Sequence, residues 1–233
     1  MAPASDLRPA RMMKHAVASL ASLLASAMVL RADLVIVQKV DGAGQSGEQT
    51  IKIKGDKART DLAQTVSVIA DGATGGSVTL MHTPKTYLKV APEQNRAMMD
   101  KLQSSRPGTE PTKLQPTGRK EKVGEYECEI FTANLGAVAV TYWIAKDFPN
   151  YQAVLAQMEK LQAGSISAMG KGLMPELKDF PGMMIKTEMD LAGKKVVTTL
   201  VSVKEENVDP ASFKIPANYR EISAPALNFQ PSK

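Results

Sequence analysis

Residues 125–130 alternate without a break, with Glu125, Glu127 and Glu129 on one side and Tyr126, Cys128 and Ile130 on the other. A two-residue period with one apolar and one charged side defines a strand that has one face against a core and one in water. Asn134-Leu135-Gly136 supplies a turn. The return strand, residues 137–146, places Val138, Val140, Tyr142 and Ile144 on one face and Ala137, Ala139, Thr141 and the lone Trp143 on the other. Pro149 ends the strand run. Tyr151, Val154, Leu155, Met158 and Leu161 then recur at helical spacing over residues 150–164. A hairpin followed at once by an apolar-faced helix predicts a curved antiparallel sheet with a helix laid over it.

The N-terminal half repeats the strand pattern. Leu34, Ile36, Gln38 and Val40 alternate with Val35, Val37 and Lys39, and Ile51 and Ile53 with Lys52 and Lys54. Further strands are predicted at residues 57–62, 64–70, 77–83 and 85–90, joined by turns at 41–47, 55–56 and 71–76. Short strands broken by Gly, Asp and Pro read as a meander. Pro92 opens a predicted helix over residues 93–103 with Met98, Met99 and Leu102 as its stripe. The polar stretch 104–122, with Pro107, Pro111 and Pro116, reads as a flexible connector. After the central hairpin and helix, residues 165–180 form a Met-rich segment that Gly170, Gly172 and Pro175 weaken as a helix and mark as a flap. Ile185, Thr187, Met189 and Leu191 begin another hairpin that returns through residues 194–204. Residues 208–219 (VDPASFKIPANY) read as a closing motif with Phe213 and Ile215 turned inward. The fold class is mainly β with some helix, an unclosed antiparallel half-barrel whose helices cover the concave side.

The N-terminus carries Arg8, Arg11 and Lys14 before an uncharged Ala/Leu-rich run at residues 16–30. That is the pattern of a secretory signal peptide, and the run is short for a stable membrane span. Cleavage after Ala32 leaves the first strand intact; Ala25-Ser26-Ala27 is the alternative site, and Met12 or Met13 an alternative start. An uncleaved anchor is the other reading of the same run. No cysteine follows it, so the pattern of a lipid-attached protein is missing. The organisation is a leader at 1–32, one domain at 33–222 and a disordered tail at 223–233. The expected location is the periplasm or the exterior, and the expected state a monomer. Of the formal charge of +5, the leader holds four basic residues (Arg8, Arg11, Lys14, Arg31) and one acid (Asp6), leaving about +2. Such a balance argues against a nucleic-acid partner.

Past the leader there is one histidine, His82, and one cysteine, Cys128. That composition leaves no His-based metal site, no internal disulfide and one candidate for a Ser-His-Asp arrangement. His82 stands at a strand end before Thr83-Pro84, where a hydrogen-bonded structural histidine is the expected role. Cys128 lies mid-strand on an apolar face and reads as an inert buried thiol. The loop 71–76 lacks the Lys-Ser or Lys-Thr and helix of a phosphate cradle. Arg119, Lys120 and Lys122 are interrupted by Glu121 and read as solvated. No cofactor is called for.

The sequence is unusual in its apolar excess after the hairpin: Met158, Met169, Leu173, Met174, Leu177, Phe180, Met183 and Met184. Ordinary core packing accounts for most such residues. A lining for a hydrophobic ligand is the sharper reading, because methionine repacks around varied partners. The candidate lining is Trp143, Tyr151, Leu155, Met158, Met169, Met174 and Phe180.

The segments DLVIVQKVDG, TIKIKGDKAR, TYLKV, TGRKEKVGEYECEIF, VTYWIAKDFPNY and VSVKEENVDPASFKIPANY resemble the exported family called domain of unknown function 4412. More remotely the layout resembles the LolA/LolB-like lipoprotein carriers. That likeness implies an unclosed barrel with helical plugs and a lipid or acylated protein as partner, without a catalytic motif. A non-enzymatic envelope interaction module is the alternative function, and a hydrolase using His82 a third.

Overall fold

The structure is a computed structural model that describes residues 33–42, 45–97, 112–135, 138–162, 175–191 and 193–223. Its strands are β1 (Leu34–Gly42), β2 (Gln45–Lys54), β3 (Lys57–Leu62), β4 (Val66–Asp71), β5 (Ser77–Met81), β6 (Thr86–Val90), β7 (Gln115–Val123), β8 (Tyr126–Leu135), β9 (Val138–Ala145), β10 (Met183–Leu191), β11 (Lys194–Glu205) and β12 (Arg220–Glu221). A 12-residue helix, α1 (Tyr151–Gln162), follows β9. Short 3-10 turns stand at Leu177–Asp179 and Pro210–Phe213.

All twelve strands form one sheet in the order β12-β6-β5-β4-β3-β2-β1-β11-β10-β9-β8-β7. Its two outer strands do not pair with each other, so the barrel stays unclosed. Neighbours are antiparallel except β12, which lies parallel to β6. The fold is the predicted mainly β half-barrel, with helical cover on the concave side of a curved sheet. Register shifts bend it at three places: Val37/Gln38 against β11, Met184/Lys186 against β9, and Pro116/Lys120 in β7. The first shift leaves Val201 without a place in the pairing, and it is 59% exposed.

The register assigns each side chain to a face. On one face Ile51 and Ile53 of β2 stand beside Ile36 and Leu34 of β1. Leu200 and Val203 of β11 continue the row, then Met184 and Met189 of β10, then Ile144 and Val140 of β9. Tyr142 lies between those two, opposite Phe131 of β8, and Ala133 faces Val140. Leu34, Ile36, Ile53, Tyr142, Ile144 and Val140 are fully buried. Val154 and Leu155 of α1, together with Leu177 and Phe180, belong to the same core.

The central hairpin is buried on both faces, which its alternation does not foretell. Cys128 and Ile130 share a face with Trp143, whereas Tyr142 and Ile144 share theirs with Phe131. The two apolar rows read from the sequence therefore belong to opposite sides of the sheet. The polar stretch read as a connector through residue 122 is corrected in its second half: residues 115–122 belong to β7. An outermost strand with both faces near water, one proline and scattered lysines has no alternation to read. The turn placed at residues 41–47 is narrower, because β1 runs to Gly42 and β2 begins at Gln45. The fourth strand starts at Val66, not 64, because Ala63 and Gln64 both adopt positive φ, 44° and 59°, in the β3–β4 turn. Strand β12 has no counterpart in the sequence pattern; two residues are too few to show a period. Of the predicted helix 93–103, residues 93–97 are helical and the rest lie outside the described residues. So do the leader, the tail from 224, and most of the predicted flap, residues 163–174.

The closing motif clasps the start of β1. Asp33 forms an ion pair with Lys54 and accepts from the Val208 backbone N–H at 2.9 Å. Val208 is the buried residue of this segment; Phe213 and Ile215 are half-buried.

Candidate functional site

The apolar row across β2, β1, β11, β10, β9 and β8 is the candidate site. Tyr142 lies toward one end of it, on β9, the fifth of these six strands. It is 1% exposed, and the Phe180 ring stands edge-on to it, 5.3 Å away at 76°. Gly182 permits that approach: a Cβ there would lie 2.2 Å from the Ala145 carbonyl oxygen, so only glycine lets the chain leading into β10 press onto β9. Burial pushes the Tyr142 hydroxyl up to about 12. Among the described residues it has no hydrogen-bond partner. An unsatisfied buried hydroxyl costs about 1–3 kcal/mol.

The predicted lining residues are distributed around this point. Leu155 and Phe180 are buried in the core that holds Tyr142, and Tyr151 and Met158 pack against it half-buried. Met169 and Met174 lie outside the described residues. Trp143 is buried on the other sheet face. Its Nε1–H donates to Glu121 Oε2 at 2.8 Å, and the Lys186 ammonium sits 3.9 Å from its ring centroid. These contacts tie Trp143 to β7 and β10 across the strand from Tyr142.

The far side of the meander holds the most extensive polar network among the described residues. Arg59 donates through Nε to Asp61 Oδ1 at 2.6 Å, through one terminal nitrogen to the Ser212 carbonyl at 2.9 Å, and through the other to Ser67 Oγ at 2.9 Å. Ser67 is 0% exposed and its hydroxyl donates to Asp61 Oδ1 at 2.5 Å. The imidazole of His82 bridges Ser67, 2.7 Å from Nε2, and the Tyr219 hydroxyl, 2.5 Å from Nδ1. A carboxylate only accepts, so the single Ser67 proton is spent on Asp61. His82 Nε2–H must then donate to Ser67, with Nδ1 hydrogen-bonded to the Tyr219 hydroxyl. No basic nitrogen faces the serine, the reverse of what nucleophile activation requires. For Asp61, burial pushes the carboxyl up, but hydrogen bonds from Ser67 and Arg59 outweigh it and hold the group below its ordinary 3.8.

Above this network lies a cleft of about 540 Å³, lined by Glu48, Thr50, Arg59, Asp61, Gln64 and His82 among others. A second cleft of about 400 Å³ has Ile69, Val78 and Phe213 beside Lys57 and Lys89. Cys128 is buried, and burial raises its thiol to about 11. Among the described residues no three His, Cys, Asp or Glu side chains gather as a metal-ligand set. No helix among them is long and apolar enough to cross a membrane.

Sequence reasoning misses Arg59, Asp61, Ser67 and Tyr219. A signal exists for three of them. A three-residue turn, Ala63-Gln64-Thr65, places Asp61 opposite Ser67, with Arg59 on the same face. Without a Gly or Asn there, the turn reads as strand.

No curated protein matches the chain. Solved structures align with it at low identity. A structure of PNGF-II aligns over 83% of this chain at 13% identity and a TM-score of 0.42, and the chain spans only 32% of its length. An uncharacterized conserved protein from Thermus thermophilus aligns over 84% of this chain and 92% of its own, at 9% identity and a TM-score of 0.46. A LolA superfamily protein from Nitrosomonas europaea aligns over 78% and 90%, at 11% identity and a TM-score of 0.29. At these scores the likenesses carry no functional weight. The profile of one family matches residues 34–219, from the first residue of β1 to the tyrosine that holds His82. The chain belongs to the family described as Domain of unknown function (DUF4412).

Proposed function

We propose that this protein is an exported, non-enzymatic binder of a lipid, acyl chain or other hydrophobic molecule, held against the apolar row of its open sheet. The observation that carries the reading is the extent of that row. Its apolar side chains span six adjacent strands, with Gln38, Thr187 and Glu129 set among them, and Ile51, Leu200, Val203, Met184 and Met189 remain half-buried along it. Burying apolar ligand area there is worth about 25 cal/mol per Å² before the entropy of association is subtracted. Met158, Met184 and Met189 supply adaptable contact, and Met169 and Met174 join them in this proposal. The leader pattern supports export, and the leader-free chain is proposed to act as a monomer in the periplasm or outside the cell.

Native mass spectrometry of the protein purified without detergent from an exporting host tests this. The expected result is a mass beginning at Asp33, with a bound species that dissociates as a phospholipid or acylated molecule. Met158→Asp should lose that species while the fold survives. A bare protein that takes up no added lipid would sink the reading. It would favour instead an envelope interaction module working through the open edge of β7.

A further inference from the structure

We infer that Tyr142 is the polar anchor of this site, its hydroxyl donating a hydrogen bond to the ester or amide carbonyl of a bound acyl group. The inference rests on the hydrophobic-ligand reading and adds to it the kind of atom the ligand carries. Tyr142 stands mid-strand on β9, 1% exposed, among buried apolar side chains of its face, Val140, Ile144, Phe131 and Phe180, with Thr187 as its polar neighbour in register. A phenylalanine would fill the same ring volume. The hydroxyl adds only a desolvated polar atom, which among the described residues finds no partner within the chain. Its ring is met by Phe180, and its cross-strand neighbours are Phe131 and Thr187. No cation stands in register with it to hold a buried carboxylate, so the fitting acceptor is a neutral carbonyl. Burial keeps the hydroxyl protonated, and a protonated phenol can donate to that oxygen. A pure hydrocarbon would leave the hydroxyl unsatisfied, whereas an acyl carbonyl completes it.

The test uses the protein from an exporting host, stripped of lipid on a hydrophobic resin. Wild type and Tyr142→Phe are titrated with methyl oleate, oleamide and 1-octadecene, which share a long chain and differ in the acceptor. Wild type should bind a carbonyl-bearing probe roughly tenfold more tightly than 1-octadecene. Tyr142→Phe should bind all three alike, close to the wild-type affinity for 1-octadecene. A Tyr142-dependent gain larger for methyl oleate points to an ester-linked lipid as the natural source; one larger for oleamide points to an amide-linked acyl group. A preference that survives in Tyr142→Phe, or is absent from wild type, overturns the inference and leaves the broader reading standing. Failure of wild type to bind any of the three overturns both. Lipid-free Tyr142→Phe should melt at or above wild type. A drop of several degrees would mean that the hydroxyl has a partner inside the protein, and would overturn the inference.

Discussion

The two faces of the sheet treat their polar groups in opposite ways. Around β3–β5, Arg59, Asp61, Ser67, His82 and Tyr219 form a chain in which each side chain is hydrogen-bonded to the next. On the apolar face at β9, Tyr142 holds a hydroxyl that nothing among the described residues answers. The first is a finished structure, and its completeness explains why the only histidine beyond the leader is tied down. The second is the place where, among the described residues, a buried polar atom goes without a partner, which is what the proposed ligand would supply. A triad-like set of residue types thus marks the satisfied side, and an unanswered buried hydroxyl marks the side on which a ligand is proposed to bind.

Three substitutions break or sharpen this contrast. The largest effect is expected on the apolar face: Ile144→Ala should lower unfolding free energy by about 2–5 kcal/mol in urea denaturation, because it removes a fully buried side chain and leaves a cavity. On the network face Arg59→Ala should cost about 1–3 kcal/mol by leaving Asp61, Ser67 and the Ser212 carbonyl short of a donor, with binding of 1-octadecene unchanged. A loss of hydrocarbon binding there would mean that the two faces are coupled. The smallest effect is in acid. The folded-state value of Asp61 is depressed, so its contribution is present above the ordinary 3.8 and lost as pH falls below it. The side chain is 24% exposed, and solvent screening keeps the contribution under about 1 kcal/mol. Melting curves of wild type and Asp61→Asn should therefore converge below pH 4; a constant gap would break the assignment.

Strong alternation is legible in the sequence where one face is drier than the other, as in β2, with Ile53 buried between the partly exposed Lys52 and Lys54. It fails where that contrast vanishes. Strand β7 is wet on both faces and so reads as a connector. The second half of the central hairpin is dry on both, so the row holding Cys128 and Ile130 cannot be told from the row holding Phe131 and Ala133. At the candidate site the apolar excess is visible but the position of each residue is not, because pairing register decides which side a residue takes. Trp143 and Tyr142 are adjacent in sequence and serve different sides of the sheet. The network at His82 depends on a turn that includes Ala63 and Gln64, two residues that rarely adopt positive φ and so give no turn signal.

Strand β1 sits in the middle of the sheet, and its partner across the seam, β11, is among the last segments of the chain, with Leu34 opposite Glu205. The wing β2–β6 can form early by local hairpins, but the seam that joins it to β7–β10 must wait for nearly the whole polypeptide. Folding governed by such a distant pairing is slow. A chain built this way can gather its wings early, but it becomes a single sheet only after its far end has arrived.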